Sequence, residues 1–177
     1  MPEIYGWRAL LLPVCCLLAG CGLTQTVTDG TVNMTKAIFY KQIKVLHLDF
    51  APRAAVNADG AQIPLATMVR VYQLKDRQGV ESADYQSLLR DADAVLKEDL
   101  LASKSLLVMP QGSVTLNMPM EEEAKYVAVV ALFNRPDMQE NGWRLVLTRD
   151  DLDPDRARVI ELGEGALRLT PVREEER

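Results

Sequence analysis

The sequence has few of the residues that most often carry catalysis or bind metals. It contains one histidine, His47, and only three cysteines among 177 residues. Cys15 and Cys16 lie in an apolar N-terminal stretch, which leaves Cys21 alone for the rest of the chain. A single histidine without a cysteine beside it cannot build an ordinary structural zinc site or a Cys–His pair. A Ser–His–Asp triad through His47 stays formally open, but no Gly-x-Ser-x-Gly motif accompanies it. We therefore expect no metal, no cofactor and no enzymatic activity, and a structural or surface role for His47.

Positive charge and calcium-binding spacing are also lacking. Lysine and arginine together number 20 against 25 acidic residues, and aromatic residues make up only 6%. A mildly acidic chain without a basic cluster is a poor nucleic-acid binder. The densest acidic run, 150–155, fails as an EF-hand loop that begins at Asp151. Its sixth position would be Arg156 instead of glycine, and its twelfth Leu162 instead of glutamate. This run is typical of a solvated turn.

No apolar run is long enough to span a membrane. The longest, Ala9 to Leu18, would reach only ~15 Å as a helix, about half a bilayer core, and is typical of a cleaved export signal. It ends in Leu18-Ala19-Gly20-Cys21, which resembles the signal of bacterial lipoproteins. The resemblance implies cleavage after residue 20 and a covalent lipid on Cys21. In such proteins an Asp after the Cys retains them in the inner membrane. Here Gly22 stands there, which implies the outer membrane, with the domain facing the periplasm.

Two other interpretations of this N-terminal stretch are open. It could be a buried core segment, or an ordinary secretory signal that leaves a free cysteine in an oxidising compartment. Under the lipoprotein interpretation the chain divides into a signal at 1–20, a lipidated flexible tether at 21–35, one folded domain at 36–172 and a disordered tail at 173–177. Residues 36–42 fit a short helix or an early strand, and we favour the helix.

The folded part is dominated by short strands. Strand patterns cover 43–50, 67–74, 106–109, 114–118, 126–133, 143–148, 159–162 and 166–169. One amphipathic helical pattern interrupts them, with apolar residues from Tyr85 to Leu100 at spacings of three and four, Ser82 as a possible N-cap and Asp84 in the first turn. Strands without βαβ alternation indicate a mainly β protein, a two-layer antiparallel β-sandwich with an added helical insertion.

The connection from Ala51 to Ala66 is unusually long for a compact domain. It carries Asn57, Asp59-Gly60 and Pro64 and shows neither helical nor strand periodicity. Structureless connections of this length are usually functional.

Together these stretches resemble one family. The lipoprotein signal, the loop with Asn57-Ala58-Asp59-Gly60, the strand 69–75, the helical insertion, the strand 126–133 and Trp143-Arg144 are similar to the TssJ lipoproteins of bacterial type VI secretion systems. The resemblance implies a transthyretin-like β-sandwich. It also implies that the protein anchors the secretion membrane complex to the outer membrane by binding the periplasmic C-terminal region of TssM, an inner-membrane protein, through the loop between the first two strands.

The residues expected to contact TssM are Arg53, Val56, Asn57, Asp59 and Ile63. A charge and two aliphatic side chains offer anchoring, while Asn57 and Asp59 shape the turn. The alternative for Asn57 and Asp59 is that they only make turns. The alternative function is a lipoprotein that binds a small ligand or glycan in a pocket between helix and sheet, with Trp143 and Tyr126 as candidates, although no small-molecule substrate is expected.

Overall fold

A computed structural model describes residues 42–53, 57–61 and 63–172. The predicted signal, the tether with Cys21, the segment 36–41 and the tail 173–177 lie outside the described residues.

Eight strands and two helices make up the described part, together with one short 3₁₀ turn. In chain order they are β1 (Val45–Pro52), β2 (Thr67–Leu74), α1 (Gln78–Ser82), α2 (Tyr85–Leu96), β3 (Leu100–Val108), β4 (Val114–Pro119), β5 (Tyr126–Leu132), β6 (Arg144–Thr148), the 3₁₀ turn (Arg149–Asp151), β7 (Arg158–Leu162) and β8 (Leu167–Leu169).

The strands form two four-stranded sheets, with the orders β4-β1-β7-β8 and β3-β2-β5-β6. Neighbouring strands are antiparallel in every pair but one. β1 and β7 run parallel, with Leu48 opposite Arg158 and Pro52 opposite Leu162. The predicted two-layer β-sandwich with a helical insertion is confirmed, and this parallel pair is its one departure from antiparallel pairing.

The core lies between the two sheets and beneath α2. β1 buries every second side chain, as its alternating sequence predicts: Leu46, Leu48 and Phe50 are completely buried. β5 is buried on both faces from Val127 to Ala131, as its continuous apolar run predicts, because it lies in the interior of its sheet and both faces are covered.

Gln73 is the polar exception in this core and joins the two sheets. It is fully buried. Its Nε2 donates to the Pro119 carbonyl at 2.8 Å, and its Oε1 accepts from the Glu121 amide at 2.7 Å. Both side-chain groups are therefore satisfied, and the end of β2 is tied to the end of β4.

The helical insertion differs from its prediction at both ends. The cap of α2 is Asp84, whose carboxylate accepts from the Ser87 amide at 2.9 Å, while Ser82 closes α1 by donating to the Gln78 carbonyl. The Ser87 hydroxyl also donates to Asp84 Oδ2 at 2.7 Å, and this bond, together with the one from the Ser87 amide, lowers the pKa of Asp84. The helix ends at Leu96, and Leu100 begins β3 opposite Leu74. The backbone of α2 is also non-helical at Asp91, where the helix is kinked.

Candidate docking surface at one end of the sandwich

Four connections meet at one end of the sandwich. Strand register places Pro52 beside Leu162, Thr67 beside Val108 and Met68 beside Leu132. The β1–β2, β3–β4, β5–β6 and β7–β8 connections therefore leave the sheets on the same side, which we call the loop end. The chain enters the domain at Gln42, ahead of β1, on the opposite side, which we call the entry end.

Asn57 ties the β1–β2 loop to its neighbour. Its backbone has a φ of 51°, in the left-handed region, and its side chain is buried. The amide oxygen accepts from the backbone N–H of Asn134 at 2.5 Å, in the β5–β6 connection, and the amide nitrogen donates to the Ala66 carbonyl at 3.2 Å. The structure thus gives Asn57 the turn-shaping role considered from the sequence.

Asp59 folds the tip of the loop. Its Oδ1 accepts from the amides of Ala61 and Ile63, at 2.8 and 2.9 Å, and its own amide donates to the Ile63 carbonyl at 3.0 Å. A carboxylate that accepts from amides two and four residues ahead closes a compact turn. This turn presents Ile63 at the surface, with 57% of it exposed.

Arg53 lies at the start of the loop and points to solvent. Its Nη2 donates to Glu161 on β7 at 2.8 Å, and 62% of the Arg53 side chain and 36% of the Glu161 side chain are exposed. A surface ion pair of this kind contributes about 0–1 kcal/mol. The Arg53 guanidinium can therefore exchange its Glu161 carboxylate for one on a partner at little cost. Val56, the fifth predicted contact residue, lies outside the described residues.

The loop end also carries apolar side chains that sequence reasoning missed. Among the described residues the three most exposed large hydrophobic side chains are Ile63 at 57%, Met138 at 56% and Met109 at 54%. Met138 belongs to the β5–β6 connection and Met109 to the β3–β4 turn. In the sequence, Met109 and Met138 each stand in a turn-rich segment, and this position alone does not distinguish an exposed methionine from a buried one.

The β5–β6 and β7–β8 connections support each other at this end. Gly165 has a φ of +81°, and a Cβ there would lie 2.4 Å from the Arg135 carbonyl oxygen. The Asp137 amide donates to the Gly165 carbonyl at 2.9 Å. The turn between β7 and β8 therefore also supports the loop that carries Met138.

No catalytic constellation accompanies these loops in the described part of the chain. The Nδ1 of His47 lies 2.6 Å from the Asn117 side-chain oxygen on the neighbouring strand. Asp151 accepts from the backbone and side chain of Thr148, and Asp153 accepts from the Asp155 amide, which lowers the pKa of Asp153. No group of three or more potential metal ligands occurs within residues 42–53, 57–61 and 63–172.

Membrane-spanning helices are likewise missing from the described residues, since none of their helices is long and apolar enough to cross a bilayer.

These features define the class of protein as a β-sandwich domain whose loops and most exposed apolar side chains gather at one end. The sequence profile of one family, described as "Type VI secretion lipoprotein, VasD, EvfM, TssJ", matches residues 44–165, which is more than half of the chain. The chain belongs to this family of type VI secretion lipoproteins. No protein sequence with a curated function matches it significantly.

Solved structures show the same relationship. One, described as "T6SS protein TssM C-terminal domain (869-1107) from EAEC", matches with 45% identity and a TM-score of 0.68 over 73% of this chain and 100% of that chain. Another, described as "Type VI membrane complex", matches with 46% identity and a TM-score of 0.70 over the same shares. The Lip protein of Serratia marcescens, a membrane-bound component of the type VI secretion system, matches with 26% identity and a TM-score of 0.63 over 72% of this chain and 98% of its own. The family is thus one of membrane-bound secretion lipoproteins, described by assembly and not by a reaction.

Proposed function

We propose that this lipoprotein anchors the type VI secretion membrane complex to the outer membrane and docks the periplasmic C-terminal region of TssM through its loop end. The observation that carries the proposal is the position of the three most exposed apolar side chains, Ile63, Met109 and Met138, on three connections at that end. Large apolar side chains that are exposed at the same end of a domain favour a protein interaction surface there.

The chain enters the domain at the end opposite the loop end, and this arrangement supports the proposed role. The chain reaches Gln42 at the entry end, and β1 carries it over eight residues, about 26 Å, to the loop end. A tether of fourteen residues from Gly22 to Thr35 has an average reach of about 20 Å. A lipid anchor on Cys21 would therefore join the domain at the entry end, which leaves the loop end open to a partner.

The comparisons support the choice of partner. In the solved structure whose description names the TssM segment 869–1107, the match takes in the whole of the matched chain but only 73% of the present chain. The numbering of that TssM segment makes it longer than the whole of the present chain. The matched chain is therefore too short to be the named segment, and it accompanies TssM in that structure.

The predicted contact residues at the loop end fall into two groups, those that contact the partner and those that shape the loop. Ile63 and Arg53 offer an apolar anchor and a charge to the partner, and Val56 stays a predicted contact. Asn57 and Asp59 hold the loop in shape through the hydrogen bonds described above.

Calorimetric titration tests the docking surface. The soluble chain from Gly22 to Arg177 is titrated with the periplasmic C-terminal region of TssM from the same bacterium. Ile63→Asp should weaken binding tenfold or more, since placing a carboxylate in a desolvated interface costs more than about 1.4 kcal/mol. Val172→Asp is the matched control, because Val172 is 45% exposed but lies beyond β8 at the entry end. Equal binding by Ile63→Asp and wild type would remove the loop end from the proposal.

Fractionation tests the anchor separately. Full-length protein should enter the outer-membrane fraction and take up labelled fatty acid, and Cys21→Ser should abolish both. A Cys21→Ser variant that still acquires the label would refute lipidation at this residue.

A further inference from the structure

The nine-residue strand β3 lies at the edge of its sheet and pairs with one neighbour only, β2. Its central residues Ser103, Lys104 and Ser105 are exposed, so no other part of the described chain covers this edge. Proteins protect such edges with prolines, bulges or charges, because unpaired amides and carbonyls can pair with another strand. β3 contains no proline, its one register shift lies far from these residues, and Lys104 is its only charge.

The other edges of the two sheets are shorter or closed. The Leu167 amide of β8 donates to the Gly142 carbonyl, just before β6, at 2.7 Å, which joins the two sheets on that side. β4 has six residues and ends in Pro119, which has no N–H to donate. β3 is therefore the longest edge strand among the described residues, and its edge is open.

The alternation of hydrogen bonds shows which backbone groups of β3 point to this open edge. The Ala131 amide donates to the Trp143 carbonyl at 2.9 Å, so the backbone groups of Ala131 point toward β6 and those of the residue before it point toward β2. Carried through the register of β2, this alternation turns the backbone groups of Lys104 toward β2. Those of Ser103 and Ser105, on either side, therefore point away from the sheet and have no strand partner within the described residues.

An apolar strip runs from this edge to the loop end. Leu107 lies two residues before Met109, which belongs to the loop end, and opposite Met68 of β2. Leu107 is 50% exposed and Met68 is 38% exposed. A partner that contacts Met109 can therefore reach the open edge of β3 without leaving the apolar surface.

The charge of Lys104 selects the kind of strand that fits this edge. If two copies of β3 paired antiparallel over residues 101–107, Lys104 would lie opposite the Lys104 of the other copy, and like charges directly opposite each other are destabilising. A carboxylate at the same position would be stabilising. The edge therefore favours a strand from a different protein, with an acidic residue opposite Lys104 and an apolar residue beside Leu107.

We propose that an extended segment of TssM adds to the sheet as a further strand along the open edge of β3. Backbone groups of residues 103, 105 and 107 supply the hydrogen bonds that hold it. An acidic residue of the segment pairs with Lys104, and an apolar residue packs against Leu107 and Met68. This inference rests on the proposed docking of TssM and extends the docking surface from the loop end to the side of the sandwich.

Amide hydrogen exchange tests the added strand without any substitution. Full-length lipoprotein in detergent micelles is compared with its complex with TssM in the same detergent, and exchange is measured residue by residue by mass spectrometry. The amides of Ser103 and Ser105 should exchange about tenfold more slowly in the complex, because they gain hydrogen bonds there. The Lys104 amide already donates to β2 and is the internal control. Unchanged exchange at Ser103 and Ser105 in a complex that forms would overturn the added strand.

Substitutions test the same edge through the affinity for TssM. Ser105→Pro removes one outward N–H and keeps the β2–β3 hydrogen bonds, and edge strands accept proline where the N–H faces solvent. It should weaken binding about tenfold. Thr115→Pro is the matched control, since by the same alternation Thr115 points its N–H outward from the edge strand β4. Lys104→Glu should weaken binding about fivefold, whereas Lys104→Arg should not. If Ser105→Pro fails to fold, Lys104→Glu and the exchange experiment decide.

Loop-end docking and strand addition can fail separately. Binding that is weakened by Ile63→Asp but not by Ser105→Pro or Lys104→Glu would restrict TssM to the loop end and overturn the added strand. A wild-type protein that is dimeric in detergent and becomes monomeric with Ser105→Pro would mean that the edge pairs with a second copy, which also overturns it. Absence of TssM binding by the folded wild-type protein would overturn both proposals.

Discussion

Replacing Asn57 with alanine should destabilise the domain through a loop that is otherwise exposed. The variant removes the acceptor for the Asn134 amide and the donor for the Ala66 carbonyl. Two partly buried backbone groups then lose their partner, at a cost of about 1–2 kcal/mol in all, since water can reach part of this site. Alanine at a φ of 51° adds about 1 kcal/mol. The free energy of unfolding should fall by about 2–3 kcal/mol, which corresponds to a fall of about 8 °C in melting temperature.

Asn141 provides the matched control for this experiment. Its φ is 53°, in the β5–β6 connection, and its side chain makes no hydrogen bond to the described residues. Asn141→Ala should therefore incur only the backbone cost, a fall of about 3 °C in the same scanning-calorimetry experiment. Equal melting temperatures for Asn57→Ala and Asn141→Ala would refute the argument that the Asn57 amide holds the loop.

Three further perturbations follow from the fold. Gly165→Ala should lower the free energy of unfolding by about 3 kcal/mol, because its Cβ would overlap the Arg135 carbonyl at a positive φ, and urea denaturation measures this. Gln73→Met should cost about 1–3 kcal/mol in the same assay, because two partly buried backbone groups around the end of β4 lose their hydrogen bonds to the buried Gln73 side chain. The pKa of Asp153 is lowered in the folded state, so its ionised carboxylate contributes its full stabilisation above a pH of about 4, and this stabilisation is lost as the pH falls through the folded-state pKa. The urea midpoint of Asp153→Asn should therefore fall less than that of wild type between pH 6 and pH 3. An equal fall for the two proteins would contradict this reasoning.

The strands that alternate or run continuously apolar were predictable because their burial follows from their own residues. The bounds predicted for β2 are those observed, and the buried side of β1 is the one that carries Leu46 and Phe50. Leu100 was misplaced because it continues the spacing of the helix, four residues after Leu96. In the structure Leu100 belongs to the sheet, where it pairs with Leu74. A pairing between residues so far apart in sequence cannot be recognised from the local sequence pattern.

The candidate sites were less predictable than the fold. The length of the β1–β2 connection pointed to the loop end, but the turn-rich segment around Met138 does not reveal that this side chain is 56% exposed. The break of α2 at Asp91 is likewise concealed by the apolar periodicity of the helix, which continues across it. Polar groups brought together by distant elements are visible only after the chain has folded.

The parallel pairing of β1 with β7 has a consequence for the order of folding. Leu48 lies opposite Arg158, so β1, which is in the interior of its sheet, cannot complete its pairing until the much later segment β7 is available. Its other neighbour, β4, begins only at Val114, after β2, both helices and β3 have been made. Contacts of such sequence separation form slowly, because closing a long loop costs entropy before any pairing repays it. Until Leu162 has been made, β1 has an unpaired edge, and unpaired strand edges are sites where an incompletely folded chain can aggregate.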